Sequence, residues 1–145
     1  MLLSVIIPAR DEESCVGSTL VALVQVLQRE HVPHEILVVD DGSKDRTREV
    51  VEGAAASHPQ IRLLKNTGQH CFGMAIRCGL KYYTGDCVAI FMADASDSPE
   101  DLIRYLKMME EGYDCAFGSR FIKGGKVVDY CLHKLILNYN YVDKS

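Results

Sequence analysis

Ile36-Leu37-Val38-Val39-Asp40-Asp41-Gly42-Ser43 is the stretch that decides how this chain folds. Four apolar residues in succession, three of them β-branched, suit a strand covered on both faces rather than one. The run stops on two acids, a glycine and a serine, all residues that favour turns. Working outward, the same alternation repeats. Residues 2–7 read as a buried strand ended by Pro8, and residues 13–29 as a helix with Val16, Leu20, Leu23, Val24 and Leu27 on one face. The strand at 34–40 is followed by a helix over 44–56, a short strand at 61–65 and a helix over 72–83. A buried strand at 87–92 leads into a helix over 99–110 that aligns Leu102, Ile103, Leu106 and Met109. A fifth strand is expected at 114–118, with a weaker helical pattern over 126–137. Strands alternating with helices in this way specify an α/β fold, a doubly wound, mostly parallel sheet flanked by helices.

The bulk properties narrow the function. With 145 residues and 48% hydrophobic content, the chain fits one domain with a real core. A net charge of −4 with interspersed bases leaves no basic face for nucleic acid. Met1-Leu2-Leu3-Ser4 lacks the basic leader of a signal peptide, and the apolar stretch 19–27 is far too short to span a bilayer. The expected location is therefore cytoplasmic, at most peripheral at the cytoplasmic membrane face. The six cysteines form no C-x-x-C pair and read as reduced, small apolar residues. Five histidines lack metal-ligand spacing and read as surface or loop residues.

In open parallel sheets, ligands bind outside the carboxyl ends of the strands, where the strand order reverses. Four segments meet that condition: 8–13, 40–47, 92–97 and 118–120. Gly42 permits a tight turn after Asp40-Asp41, and Ser43 or Asp45 can cap the next helix. A cap needs one side chain, so two adjacent acids are more than a turn requires. A carboxylate there can accept hydrogen bonds from a nucleobase N–H or a ribose hydroxyl. After the first strand, Glu12 is placed to face the same crevice and Arg10 to lie beside a base or phosphate, although acids are also favoured near a helix start by the helix dipole.

In Met92-Ala93-Asp94-Ala95-Ser96-Asp97-Ser98-Pro99-Glu100-Asp101, the end explains itself as a helix start: Ser98 as cap, Pro99 in the first turn, Asp101 completing a box. Asp94 and Asp97 are not needed for that, and are free to bind a hard divalent cation. A carboxylate about 4 Å from a phosphate oxygen repels it by roughly 4 kcal/mol at an effective dielectric near 20. A bridging Mg²⁺ or Mn²⁺ reverses that sign. Gly118-Ser119-Arg120 and Gly124-Gly125-Lys126 add flexible backbone and positive charge. Asn66, Gly68 and Gly73 lack the spacing of a dinucleotide fingerprint or a P-loop, which argues against NAD enzymes and P-loop NTPases.

Residues 5–13, 38–47, 92–101 and 118–121, four motifs in order, together resemble the family 2 glycosyltransferases. The nearest subgroup in appearance is the dolichol- or polyprenyl-phosphate mannose synthase-like proteins. The resemblance runs over residues 3–138. It implies a GT-A (Rossmann-like) fold and inverting transfer from a nucleoside-diphosphate sugar such as GDP-mannose to a lipid phosphate, with Mg or Mn as cofactor. Pro8, Arg10, Glu12, Val39, Asp40 and Asp41 would line the base pocket, and Ala93, Asp94 and Arg120 would complete the donor-binding set. Asp94 matches the last acid of the D-x-D metal motif, with Asp97 as a second metal ligand. Arg120 matches the arginine that contacts the diphosphate or the acceptor phosphate, so Asp94 and Arg120 are the catalytic candidates. Met92 departs from the pattern, standing where the first acid of D-x-D belongs.

Residues 1–138 thus read as the nucleotide-sugar-binding domain and residues 139–145 as a short atypical tail, so that the chain reads as C-terminally truncated. The alternative is a non-catalytic module of the same fold that binds a nucleotide sugar or a partner subunit. A phosphoacceptor receiver domain fits poorly, because its acidic pair follows the first strand, and here the pair follows the second.

Overall fold

The computed structural model describes residues 1–118. The chain falls into two compact units, Met1–Lys107 and Met108–Ser145. The first unit holds β1 (Leu3–Ala9), α1 (Val16–Arg29), β2 (His34–Asp40), α2 (Thr47–Ser57), β3 (Ile61–Lys65), α3 (Phe72–Gly79), β4 (Cys87–Ile90) and most of α4 (Pro99–Glu110). The four strands lie in the order β3-β2-β1-β4, all parallel. Strand order therefore runs outward from β1 through β3, then jumps back across β1 to β4. The reversal falls between the carboxyl ends of β1 and β4.

Two apolar layers sandwich the sheet. On one face, Val5, Ile7, Ile36 and Val38 meet Leu20, Leu23 and Leu27 of α1, Val51 of α2, and Leu102, Ile103 and Leu106 of α4. On the other, Ile6, Leu37 and Val39 meet Ala75 of α3. The alternation of neighbours along β2 between the two faces follows from the two-residue period of a strand. It explains why that strand carries no polar residue between Ile36 and Val39.

Pro8 does not end the first strand. Residues 2 and 6 bond toward β4, and residues 3 and 9 toward β2. Pro8 shares the β4-facing phase, but β4 pairing reaches only Ile6↔Ile90. The proline nitrogen points where no ladder remains, so its missing N–H costs nothing, and Pro8 stays in register with Val39. Other boundaries also move. Helix α1 starts at Val16, where the N–H groups of Cys15 and Val16 reach the Glu12 carbonyl, and its first turn holds no acid. Helix α3 ends at Gly79, and Tyr82 and Tyr83 are exposed on the turn beyond. Strand β4 stops at Ile90 and is half-buried rather than buried, an edge among the described residues. His34 belongs to β2 and is partly buried, with Nδ1 at 2.8 Å from the Val32 carbonyl, not a surface or loop residue as expected.

In the second unit, the described residues 108–118 finish α4 and turn at Gly112 (φ +99°). The strand expected at 114–118 does not form among the described residues. Asp114-Cys115-Ala116-Phe117-Gly118 contains no β-branched residue, and only Ala116 is even partly buried. The helical pattern at 126–137 and the loop at 124–126 lie outside the described residues. No helix among the described residues is long and apolar enough to cross a membrane. Cys15, Cys71, Cys78 and Cys115 are free thiols.

Candidate functional site

The loops after β1, β2 and β4 are the ones the topology brings to the reversal point. Those after β1 and β2 are laced together. Asp11 N–H donates to Ser43 Oγ (3.1 Å), Glu12 N–H to Thr47 Oγ1 (2.8 Å) and Glu13 N–H to Asp45 Oδ2 (3.0 Å). In return, Lys44 N–H donates to Asp11 Oδ1 (2.7 Å) and Arg46 N–H to Glu13 Oε2 (2.9 Å). Asp45 also takes the Thr47 N–H (2.9 Å), so helix α2 starts at Thr47 and not at Lys44. Hydroxyls and carboxylates thus satisfy backbone groups of a neighbouring loop that would otherwise be orphaned. Asp11 (φ +56°) and Ala95 (φ +60°) sit in the left-handed region, one in the loop after β1 and one in the loop after β4. For alanine that conformation stores about 1 kcal/mol or more of strain, of the kind that clusters at binding sites.

The two adjacent acids have different surroundings. The Asp40 side chain is 0% exposed; Oδ1 accepts the Ser43 N–H (3.0 Å) and Oδ2 the Arg48 Nε–H (2.6 Å). Burial pushes its carboxyl up, but the Ser43 hydroxyl and N–H and the Arg48 guanidinium outweigh that and hold it below its ordinary range. A carboxylate so enclosed cannot meet a ligand without leaving Arg48. The Asp41 side chain is nearly as buried, at 6% exposed, but has different partners. There Oδ1 accepts from Asn66 Nδ2 (2.6 Å) and lies 3.3 Å from His70 Nδ1, and Oδ2 has no hydrogen bond among the described residues. Gly42 turns the chain at φ +82°, with the His70 ring 2.9 Å from where a Cβ would stand.

Glu12 is half-buried, and its carboxyl is raised above the usual range, first by burial and then by the negative charges of Asp94, Asp45 and Asp11. Glu12 and Asp94, on the loops after β1 and β4, are thus near enough for one charge to act on the other. Asp94 is exposed, with Oδ1 on the Ser96 N–H (3.0 Å). Asp97 is less free than expected, because Oδ2 accepts the Met92 N–H (2.9 Å) and braces the loop. Ser98 turns its hydroxyl to Glu100 (3.0 Å) rather than closing a box with Asp101. Among the described residues, no group of three or more His, Cys, Asp or Glu side chains could hold a metal alone.

The remaining candidates fall as follows. Arg10 is exposed, and Pro8 is buried in β1. Val39 is buried in the α3-side core. Ala93 is buried, its carbonyl accepting the Thr19 hydroxyl (2.9 Å), which ties the loop after β4 to α1. Arg120 lies outside the described residues. Arg48, Asn66 and His70 were missed. The rule that singled out the other strand ends applies equally to β3, and Asn66 is the first residue beyond it.

Sequence comparison agrees with this geometry. The family described as "Glycosyl transferase family 2" matches residues 4–144. The chain belongs to that family. Its fold is the GT-A fold of these glycosyltransferases, a parallel sheet with flanking helices. Among relatives, a dolichol-phosphate mannosyltransferase of Pyrococcus furiosus is 30% identical over 138 residues, covering 95% of this chain and 38% of the relative. An undecaprenyl-phosphate 4-deoxy-4-formamido-L-arabinose transferase of Serratia proteamaculans is 35% identical over 116 residues, covering 77% and 34%. Among solved structures, a mannosyltransferase of Pyrobaculum calidifontis in complex with GDP-Man and Mn²⁺ superposes with a TM-score of 0.58 at 26% identity, covering 72% of this chain and 31% of that one. The chain thus spans little more than a third of the relatives it matches.

Proposed function

We propose that this chain forms the donor-binding part of an inverting glycosyltransferase that moves a sugar from a nucleoside diphosphate to a polyprenyl or dolichyl phosphate. The observation that supports this reading is that Glu12, after β1, feels the charge of Asp94, after β4, where strand order reverses, with Asp41 at the end of the neighbouring strand β2. Asp41 accepts an N–H of the base through the oxygen left unpaired by Asn66 and His70. Asp40 takes no ligand; it holds Arg48 and the Ser43 turn, and so fixes the peptide that carries Asp41.

Burial, and then the negative charges of Asp94, Asp45 and Asp11, raise Glu12; a divalent cation would relieve that crowding of acids, and hard carboxylate oxygens suit Mg²⁺ or Mn²⁺. Asp94 and Glu12 would hold the ion, with Asp97 steadying the loop and the diphosphate supplying further oxygens. When bound, the ion neutralises the diphosphate and stabilises it as leaving group. The acceptor phosphate is already an anion at neutral pH, so its oxygen attacks the anomeric carbon from the face opposite the departing diphosphate. Configuration inverts without a dedicated base, and catalysis rests on positioning and charge. Such an acceptor would be met at the cytoplasmic face of a membrane.

Isothermal titration with GDP-mannose and UDP-sugars, with and without Mn²⁺, followed by a transfer assay on polyprenyl phosphate, tests the proposal. The expected result is Mn²⁺-enhanced binding and an inverted product. Binding without turnover would reduce the chain to a nucleotide-sugar-binding module, and no binding would remove both readings.

A further inference from the structure

The loop after β3 supplies a fourth wall to this end of the sheet. Asn66 is its scaffold. Its N–H donates to the Asp40 carbonyl (2.9 Å), Nδ2 donates to Asp41 Oδ1 (2.6 Å) and to the Gln69 carbonyl (2.9 Å), and Oδ1 accepts the Gly68 N–H (3.1 Å). That network closes the turn without further help. His70 nevertheless brings a second donor to the same oxygen, 3.3 Å away. Its ring covers Gly42 face-on, with Cε1, Nε2 and Nδ1 at 2.9, 3.0 and 3.1 Å from the position a Cβ would take. The side chain is still 46% exposed.

An ionised carboxylate only accepts, so Nδ1 carries the proton in this contact. Two donors occupy both lone pairs of Asp41 Oδ1 and fix the plane of the carboxylate. The other oxygen, Oδ2, is then held in one direction; it has no hydrogen bond among the described residues, in a side chain that is 6% exposed. A histidine that only closed a loop would not need to share an oxygen already taken by Asn66.

We infer that His70 is a positioning residue for nucleobase recognition, resting on the donor-site reading above. It holds Asp41 so that Oδ2 meets a ring N–H on the base. Uracil and guanine carry such an N–H; cytosine presents an unprotonated ring nitrogen there, which a carboxylate repels. The ligand class is therefore a uridine or guanosine diphosphate, with cytidine diphosphate rejected because an aimed carboxylate is left unpaired.

The test is calorimetric titration of UDP, GDP and CDP, each with Mn²⁺, into the wild-type chain and the His70→Ala and His70→Gln variants, with thermal melts to verify folding. The wild type is expected to prefer UDP or GDP over CDP. His70→Ala is expected to weaken the preferred nucleotide about tenfold, the scale of one hydrogen bond to a charged group, while CDP stays within about twofold, as it makes no such bond. His70→Gln, which can still donate, restores most of the preference. Equal weakening of all three nucleotides, or none, would overturn the inference, as would failure of the folded glutamine variant to restore discrimination. A wild type that favours CDP overturns it too, and a wild type that binds none overturns the donor reading on which it rests.

Discussion

Arg48→Ala isolates the contact that the acidic pair depends on. Removing the guanidinium leaves a 0% exposed carboxylate that has lost a 2.6 Å charge-assisted bond. Breaking a fully buried ion pair from one side costs about 3–5 kcal/mol. Arg48 is 40% exposed and Asp40 keeps its bonds to Ser43, so water and those donors absorb part of the loss. The expected destabilisation at pH 7 is then about 2 kcal/mol, between the buried and surface values. For a chain of this size that lowers the melting temperature by roughly 4–8 °C.

The pH dependence carries the sign. Asp40 is held below its ordinary value in the folded state, so its contribution is complete above the unfolded carboxyl value of about 3.9 and fades as pH falls through the folded value. The gap between wild type and variant should be full at pH 7 and shrink below about pH 4. Urea melts at stepped pH measure it, and Asp40→Asn combined with Arg48→Ala closes a cycle in which the double variant loses less than the sum. A gap that does not change with pH, or additive losses, would refute the reasoning.

Further predictions concern packing and the carboxylates. Gly42→Ala forces a left-handed alanine against the His70 ring, and is expected to cost about 1–3 kcal/mol and to weaken nucleotide binding, read by melts and titration. Gly79→Ala would set a Cβ 2.6 Å from Cγ2 of the buried Ile6, destabilising by about 1–2 kcal/mol after the gain in helix propensity. Gly53→Ala, also helical but with nothing within 4 Å, should stabilise by about 0.5–1 kcal/mol, so opposite shifts in denaturation midpoint check the packing. Asp94→Asn should abolish the gain in donor affinity on adding Mn²⁺, at least the roughly tenfold of a metal-site partner; chelation of the wild type should reproduce it. Glu12→Gln should raise the melting temperature of the ligand-free chain at pH 7 while lowering donor affinity. Burial and the Asp94 charge disfavour the ionised carboxyl, so that benefit exists above the folded value and disappears as pH falls to the unfolded one.

Much of this was legible in one dimension. The apolar runs at Val5–Ile7 and Ile36–Val39 identified strands buried on both faces, because burial is written into side-chain chemistry residue by residue. The helical spacing of Leu20, Leu23 and Leu27 did the same for α1. The acids after β1, β2 and β4 could be singled out because the rule linking strand ends to binding needs only element order.

What the linear pattern could not carry was pairing. Pro8 stays in β1 because of where β4 happens to stop, a fact of register between residues 84 apart or nearly so in the contact of Leu2 with Asp86. Which groups an aspartate meets depends on which chain segments arrive beside it. Asp40 and Asp41 are adjacent and chemically identical, yet Arg48 encloses one, and Asn66 and His70 aim the other. Composition and order determined the fold class and pointed to one end of the sheet. Only the tertiary structure decided which partners each carboxylate has, because those come from distant parts of the chain.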